Sequence, residues 1–315
     1  MSDDRRGLLF GAAAFGLWGL FPLYWPLLEP TSAPEILAHR VVWSLVLSLV
    51  LLVVARRTGA LQAMWRSART RLLMTGAGCF IAVNWFTYIW GVNNGYVVET
   101  SLGYYITPLL TVLLGVAVLG ERLRRLQWVA LSIAFVAVIV LTFQLGRPPW
   151  ISLVLAFSFG TYGLLKKKAG VGAVEGLTYE GLVLTPVAVG YLAWLSVVGQ
   201  ATAWSHGLDH VGLLMTSGVV TALPLLLFAG SANRISLTSL GLLQYIAPTL
   251  QFLLGVLVFD EPMPAVRWVG FSLVWVALLV LTIESLVASR HRHPIRSDAG
   301  HSHVGAASPT SRPVR

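Results

Sequence analysis

The sequence predicts an all-α polytopic membrane protein, with ten transmembrane helices forming two inverted five-helix repeats and both termini cytoplasmic. Three observations predict it. Of 315 residues, 56% are hydrophobic and 11% charged, against about 45–50% and about 25% in soluble domains. The charges cluster between apolar runs of about twenty residues, the length that crosses a ~30 Å hydrocarbon core. Finally, residues 105–142 match residues 245–282 of the same chain without a gap. This excludes a soluble enzyme and a secreted disulfide scaffold, the lone cysteine being Cys79. A net charge of +9 would suggest nucleic acid in a soluble protein; here it reads as topology, and no nucleic-acid partner is expected.

The apolar runs place spans at about 7–28, 33–55, 72–94, 100–119, 126–143, 149–165, 177–198, 211–230, 237–258 and 268–288. Arg5 and Arg6 followed by apolar residues resemble a signal peptide. The stretch is too long for one, however, and Pro34 follows the small residues Thr31-Ser32-Ala33, so it reads as an uncleaved first span. With the N-terminus inside, 19 of the 22 Lys and Arg residues fall on the cytoplasmic side, Arg147 and Arg267 outside and Arg40 within a span. That asymmetry orients the chain. Trp25, Trp65, Trp128, Trp150, Trp204 and Trp268 at span ends fit an interfacial belt. Residues 289–315, rich in His, Arg, Ser and Pro, read as a disordered basic tail. Its pairs His291/His293 and His301/His303 fit a solvated tail beside anionic lipid better than a metal site. No metal and no cofactor are expected.

The internal match has 18 identities in 38 positions, among them Tyr-Ile-x-Pro, Leu-Leu-Gly-Val, Glu121/Glu261 and Trp128/Trp268, at an offset of 140. Thr-Ser-Leu-Gly at 100–103 recurs at 238–241, and Glu35-x-Leu37 echoes Glu175-x-Leu177. The halves are 7–145 and 146–288. Five helices per half is odd, so the second half enters from the opposite side. The loops agree, because Glu121-Arg-Leu-Arg-Arg is basic while its partner Glu261-Pro-Met-Pro-Ala is not. Inverted repeats suit secondary transporters, whose halves rock around a central site.

Trp18-Gly19, the proline-containing fourth and ninth spans and the Gly120-Glu121-Arg122 loop resemble the EamA repeat of the drug/metabolite transporter superfamily. Within it, the RarD branch is suggested by Glu35-Ile-Leu-Ala-His39-Arg40-Val-Val-Trp43-Ser44, Asn84-Trp85, Val92-Asn93-Asn94, Ser101-Leu-Gly-Tyr104 and Gln244-Tyr245-Ile-x-Pro248-Thr249. The resemblance runs from about 7 to 288. It implies a ten-helix permease of the bacterial inner membrane with a central cavity and peripheral fifth and tenth helices. It supplies no substrate.

Five ionisable residues interrupt the spans: Glu35, His39, Arg40, Glu180 and Glu284. Such groups are functional candidates by default. Glu284 is one turn from a span end and reads as structural. Arg40 lies ~10 Å into the second span, where an arginine costs ~2.5–3.5 kcal/mol. It reads as a polar latch or as the counter-charge for an anionic or zwitterionic substrate. Glu180 is its equivalent in the second half and, with His39, is the candidate for proton coupling. A carboxylate in low dielectric holds its proton more tightly.

Asn84, Thr87, Tyr88, Gly91 and Asn94 make a polar stripe on the third span, and Thr100, Gly103, Thr107 and Thr111 one on the fourth. Pro22, Pro108, Pro224 and Pro248 free the carbonyls of Trp18, Tyr104, Val220 and Gln244. Paired breaks of this kind point to a binding site. The expected cavity residues are Trp18, His39, Arg40, Asn84, Trp85, Asn94, Tyr104, Pro108, Tyr162, Pro224, Gln244, Tyr245 and Pro248. Trp90 is a further aromatic that such a cavity wall would suit.

The expected function is a secondary transporter moving a small organic metabolite or drug by alternating access, as an exporter, with a proton as candidate coupling ion. Its partners are then a small-molecule substrate, the lipid bilayer and, as an option, a second copy in a homodimer. A carrier of lipid-linked or nucleotide-sugar cargo, or a non-transporting receptor or assembly factor, is the alternative. The sequence shows no His-Glu-x-x-His, Gly-x-Ser-x-Gly or P-loop motif, so no enzyme is expected.

Overall fold

The computed structural model describes residues 3–291 except 57, 121, 233 and 236, and the described residues are helical with no strand. The tail after 291 and Glu121 therefore lie outside the described residues. The helices are α1 (Asp3–Gly19), α2 (Phe21–Tyr24, continued by a 3₁₀ turn over Trp25–Leu28), α3 (Ala33–Val54), α4 (Thr58–Arg66), α5 (Ala68–Asn93), α6 (Val97–Leu119) and α7 (Arg125–Leu145). There follow α8 (Trp150–Ala169), α9 (Ala173–Val197), α10 (Thr202–Ser205), α11 (Leu208–Ala232), α12 (Leu237–Leu243), α13 (Ile246–Leu257) and α14 (Ala265–His291).

Among the described residues, eight helices are long and apolar enough to cross a membrane, or nine if the bent pair at 3–28 is one span. The helix α8 matches the expected sixth span in position but carries Lys166, Lys167 and Lys168 in its last turn. A short helix, α4, occupies what the sequence suggests is a plain connection, and it seats Met64 against Met74 and Tyr179. The chain crosses back and forth between two faces. The near face is where α1 begins and α14 ends; the far face carries α10 and the α7–α8 connection.

Proline acts differently at each site. Before Pro22 the first helix bends by 44°, and the Trp18 carbonyl that Pro22 frees accepts the Gln251 amide at 3.1 Å. The helices α6, α9 and α11 run on through Pro108, Pro186 and Pro224. Around Pro248 the helix parts, into α12 and α13 at Gln244 and Tyr245. The matched prolines of the fourth and ninth spans thus give one continuous and one interrupted helix, which corrects the expectation of equal breaks. Gly120, Gly146 and Gly170 end α6, α7 and α8 at φ near +65°, a left-handed cap that suits glycine.

At the centre, α3 packs on α9 and α11, and α5 on α8 and α9. The helices α7 and α14 pack mainly on each other at the edge, around an aliphatic seam of Ala130, Ala134, Ala137, Leu141, Val274 and Leu281. Large apolar side chains such as Phe143 and Val197 are left exposed on the outside, where lipid rather than water would meet them. Contacts recur at the repeat spacing. Gln127 donates to Glu284 at 3.2 Å on the near face, and their equivalents, Arg267 and Gln144, meet at 3.4 Å on the far face. Gly11 abuts Ser231, while their equivalents Ile151 and Gly91 abut each other.

Candidate substrate site

Arg40 is a buried cation, 3% exposed. Its Nε donates to the Thr221 hydroxyl of α11 at 2.8 Å. The guanidinium lies 4.0 Å from the Trp85 ring centroid, 5.0 Å from Trp25 and 5.8 Å from Phe21. Ring contacts of this kind return up to ~2 kcal/mol when desolvated, which offsets part of the burial cost. Ion pairing does not supply the rest, because no carboxylate of the described residues lies within 4.0 Å of Arg40. Beyond Trp85, the Asn84 amide donates to the Leu155 carbonyl at 3.1 Å and the Ser158 hydroxyl at 3.0 Å, and accepts from Tyr104 at 3.2 Å. Asn84 is thereby satisfied and fixes the Tyr104 ring, which packs edge-on to Tyr88 at 5.6 Å.

In the second half, Glu180 is as deeply buried, at 1%. Lys166 Nζ pairs with it at 3.1 Å and the Tyr162 hydroxyl approaches at 3.4 Å. Lys166 also sits 5.2 Å from the Tyr162 ring centroid. The sequence suggests Lys166 as a cytoplasmic loop charge; the structure instead folds it back along α8 to neutralise Glu180. Glu35 accepts the Thr202 N–H at 2.8 Å and its hydroxyl at 3.0 Å. Close by, Thr31 bonds His210 at 2.7 Å, while His39 Nε2 is buried without a partner.

Arg40, Asn84, Trp85 and Tyr104 come together, then, and Tyr162 joins Glu180 on the near side. Trp18 lies against the same cluster as Phe21, Trp25, Tyr88 and Tyr104. Trp18 packs on Phe15 and Phe228 at 5.3 and 5.9 Å. Gln244, Tyr245 and Pro248 mark the α12–α13 break, Pro108 stays within α6, and Pro224 is buried within α11. Asn94 is exposed and closes the end of α5 on the Trp90 carbonyl at 2.8 Å. Its side-chain amide is used in capping. Trp25 belongs to the Arg40 cluster and is fully buried; it is no belt residue, because the bend before Pro22 turns it inward. Trp65, Trp128, Trp150 and Trp268 are exposed as a belt requires, and the Trp204 side chain lies outside the described residues. Glu284 is also buried, paired with Arg124.

Comparison with known proteins agrees with this architecture. Residues 5–143 match the EamA-like transporter family. The chain is 55% identical to Protein RarD of Streptomyces exfoliatus over 289 residues, covering 92% of each chain. The chain belongs to the RarD branch of the EamA family. Further relatives are the uncharacterized transporter YojE of Bacillus subtilis, 45% identical and covering 90% of this chain and 96% of its own. The chloramphenicol-sensitive protein RarD of Pseudomonas aeruginosa is 34% identical over 89% of this chain and 94% of its own. A solved crystal structure, 18% identical, superposes with a TM-score of 0.57 over 88% of this chain and 97% of its own, which shows a shared fold.

In this RarD-branch chain the resemblance implies a central cavity, yet the Arg40 cluster is closed. A cavity of about 150 Å³ instead opens at the far face between α6, α7 and α14, lined by Tyr96, Glu99, Arg147, Glu261 and Arg267 among others. There Arg147 grips Glu99 at 2.8 and 3.2 Å, and Glu99 also accepts the Ile151 N–H at the start of α8. The Glu261 carboxylate caps α6 through the N–H groups of Val97 and Val98. Burial pushes the Glu261 carboxyl up to about 7, against the pull of those two N–H groups and Arg267. Among the described residues no group of three or more His, Cys, Asp or Glu could hold a metal. Sequence reasoning missed Thr221, Lys166 and Gln251 as partners. Lys166 carried a signal, since it stands four residues from Tyr162 on one helical face.

Proposed function

We propose that this RarD-branch protein is a secondary transporter that moves a small organic solute across the bacterial inner membrane by alternating access around Arg40. One observation carries the reading: a buried guanidinium without a counter-ion at the meeting of α3, α5 and α11. An ionisable group at that depth is retained for function or held by an ion pair, and the ion pair is missing among the described residues. The names of relatives, which include uncharacterized transporters, support the class.

The proposed frame is ten spans in two inverted halves, the near face cytoplasmic and the far face external. The paired contacts Gln127–Glu284 and Arg267–Gln144 support the two-fold relation, and the placing of 19 of 22 basic residues supports the orientation. In this frame the site is shut on both sides. Lys166–Glu180 closes it toward the cytoplasm, while Glu99–Arg147 and the Glu261 cap close it toward the outside. Opening one closure while the other holds is alternating access, and outward movement is the proposed direction. Glu180 and His39 remain the proposed proton carriers, with Glu180 available only when Lys166 swings away.

Purified protein in liposomes, loaded in turn with amino acids, their metabolites and amphenicols, provides the test; a relative's name brings in the last class. Saturable flux of at least one solute is expected. Failure of every solute to move saturably contradicts transport, and substrate-driven proton flux undiminished in Glu180→Gln removes Glu180 as carrier.

A further inference from the structure

We propose that the solute recognised at Arg40 is a monocarboxylate with a planar, apolar body, and that zwitterions and cations are excluded. This rests on the reading of the Arg40 cluster as the substrate site and narrows it to one chemical class.

A guanidinium carries five N–H donors, and Arg40 spends one, on Thr221. The planar edge of the group matches a carboxylate in two parallel hydrogen bonds, and none of the described residues offers a carboxylate there. The acids that could have served are committed elsewhere, Glu180 to Lys166 and Glu35 to Thr202. Two further polar groups stand ready. The Tyr88 hydroxyl, on a side chain 3% exposed, and the Ser44 hydroxyl, 2% exposed, are both buried and without a partner. Ser44 is one turn from Arg40 on α3, and Tyr88 is one turn from Asn84 on α5. Nearly all buried polar side chains find a partner, so two orphans beside an uncompensated cation mark a place for ligand oxygens.

The walls are rings: Trp85, Trp25 and Phe21 around the guanidinium, with Tyr104 and Tyr88 edge-on to each other. Flat rings suit a flat apolar body. What the cluster lacks is equally specific. With no free acid beside it among the described residues, the ammonium of an amino acid or amine would be buried unpaired beside Arg40. A second carboxylate on the ligand would likewise have no cation. One negative charge and one planar body remain.

The test uses the full chain in nanodiscs with benzoate, phenylacetate and cinnamate as probes. Controls are cinnamamide, phenylalanine, phenethylamine and succinate. The readouts are tryptophan fluorescence, sensitive to Trp85 and Trp25, and counterflow of labelled cinnamate in liposomes. Saturable binding of at least one monocarboxylate is expected, with the matching amide and amino acid weaker by roughly tenfold or more. Arg40→Lys should weaken binding, and Arg40→Gln should abolish it. Comparing acid with amide needs no variant, so the test stands even where Arg40→Gln fails to fold. Equal binding of cinnamamide or phenylalanine, or no saturable response to any of the three acids, overturns the proposal. An acid that binds through Arg40 but does not cross the membrane supports the site chemistry and refutes transport. A neutral or cationic solute carried with Arg40→Gln intact refutes the site chemistry and leaves transport standing.

Discussion

Arg40 and Glu180 occupy equivalent positions, 140 residues apart, and are almost equally buried. Their surroundings differ. Glu180 is held by Lys166 at 3.1 Å, whereas Arg40 has three rings and one hydroxyl. The backbone spacing differs too. At the equivalent glycines, a Cβ on Gly218 would fall 2.6 Å from the Trp43 backbone, while one on Gly78 would stand 3.8 Å from Glu180. On the proposed repeat, one half thus holds a neutralised pair, and the other a cation with no carboxylate of the described residues within 4.0 Å. The cation is the half that asks for a ligand.

The largest effect should come from splitting the closed pair. Lys166→Met leaves Glu180 buried alone and should lower stability by about 3–5 kcal/mol, read by reversible unfolding in mixed micelles. The double variant with Glu180→Leu should regain most of it. If Lys166→Met alone costs nothing, the two charges are not a pair in the membrane. Arg40→Gln should behave oppositely. It breaks no ion pair, so stability should move by only about 1 kcal/mol, while solute flux falls roughly a hundredfold. Equal losses of stability in both halves would erase the distinction.

Packing gives a smaller contrast. Gly218→Ala should cost about 1–3 kcal/mol by overpacking α3 against α11, and thermal melting of Gly78→Ala should match wild type. The smallest effect concerns the far face. The Glu261 carboxyl titrates near 7 when folded, above its usual range, so the folded state binds the extra proton and stability declines as pH rises toward 7. Glu261→Gln should flatten that decline in melting curves taken from pH 4.5 to 8. A slope unchanged by the substitution would assign the titration elsewhere.

Much of this was legible in the chain itself. Apolar runs bounded by charges located the long helices, because a bilayer imposes a fixed length. Asn84, Trp85 and Arg40 stood out as polar or amphipathic groups inside such runs, and the structure brings them together. What one helix cannot reveal is its partner on another. Thr221 looked like any threonine in an apolar run, and Lys166 like one of three loop lysines, until α11 and α8 were placed beside them. Asn94 caps the end of α5, a role that a polar residue at a helix end takes as readily as that of a ligand. Trp25 misled because its position along the sequence is terminal, while the bend before Pro22 carries it inward.

The most direct test of alternating access at Arg40 is two-sided labelling. Ser44→Cys in a Cys79→Ser background puts one thiol a turn from Arg40, in oriented proteoliposomes exposed to a membrane-impermeant thiol reagent from either side. Labelling from both sides, slowed by a transported solute, is the predicted result. Labelling from one side only, or from neither, would contradict a site that opens alternately to the two faces.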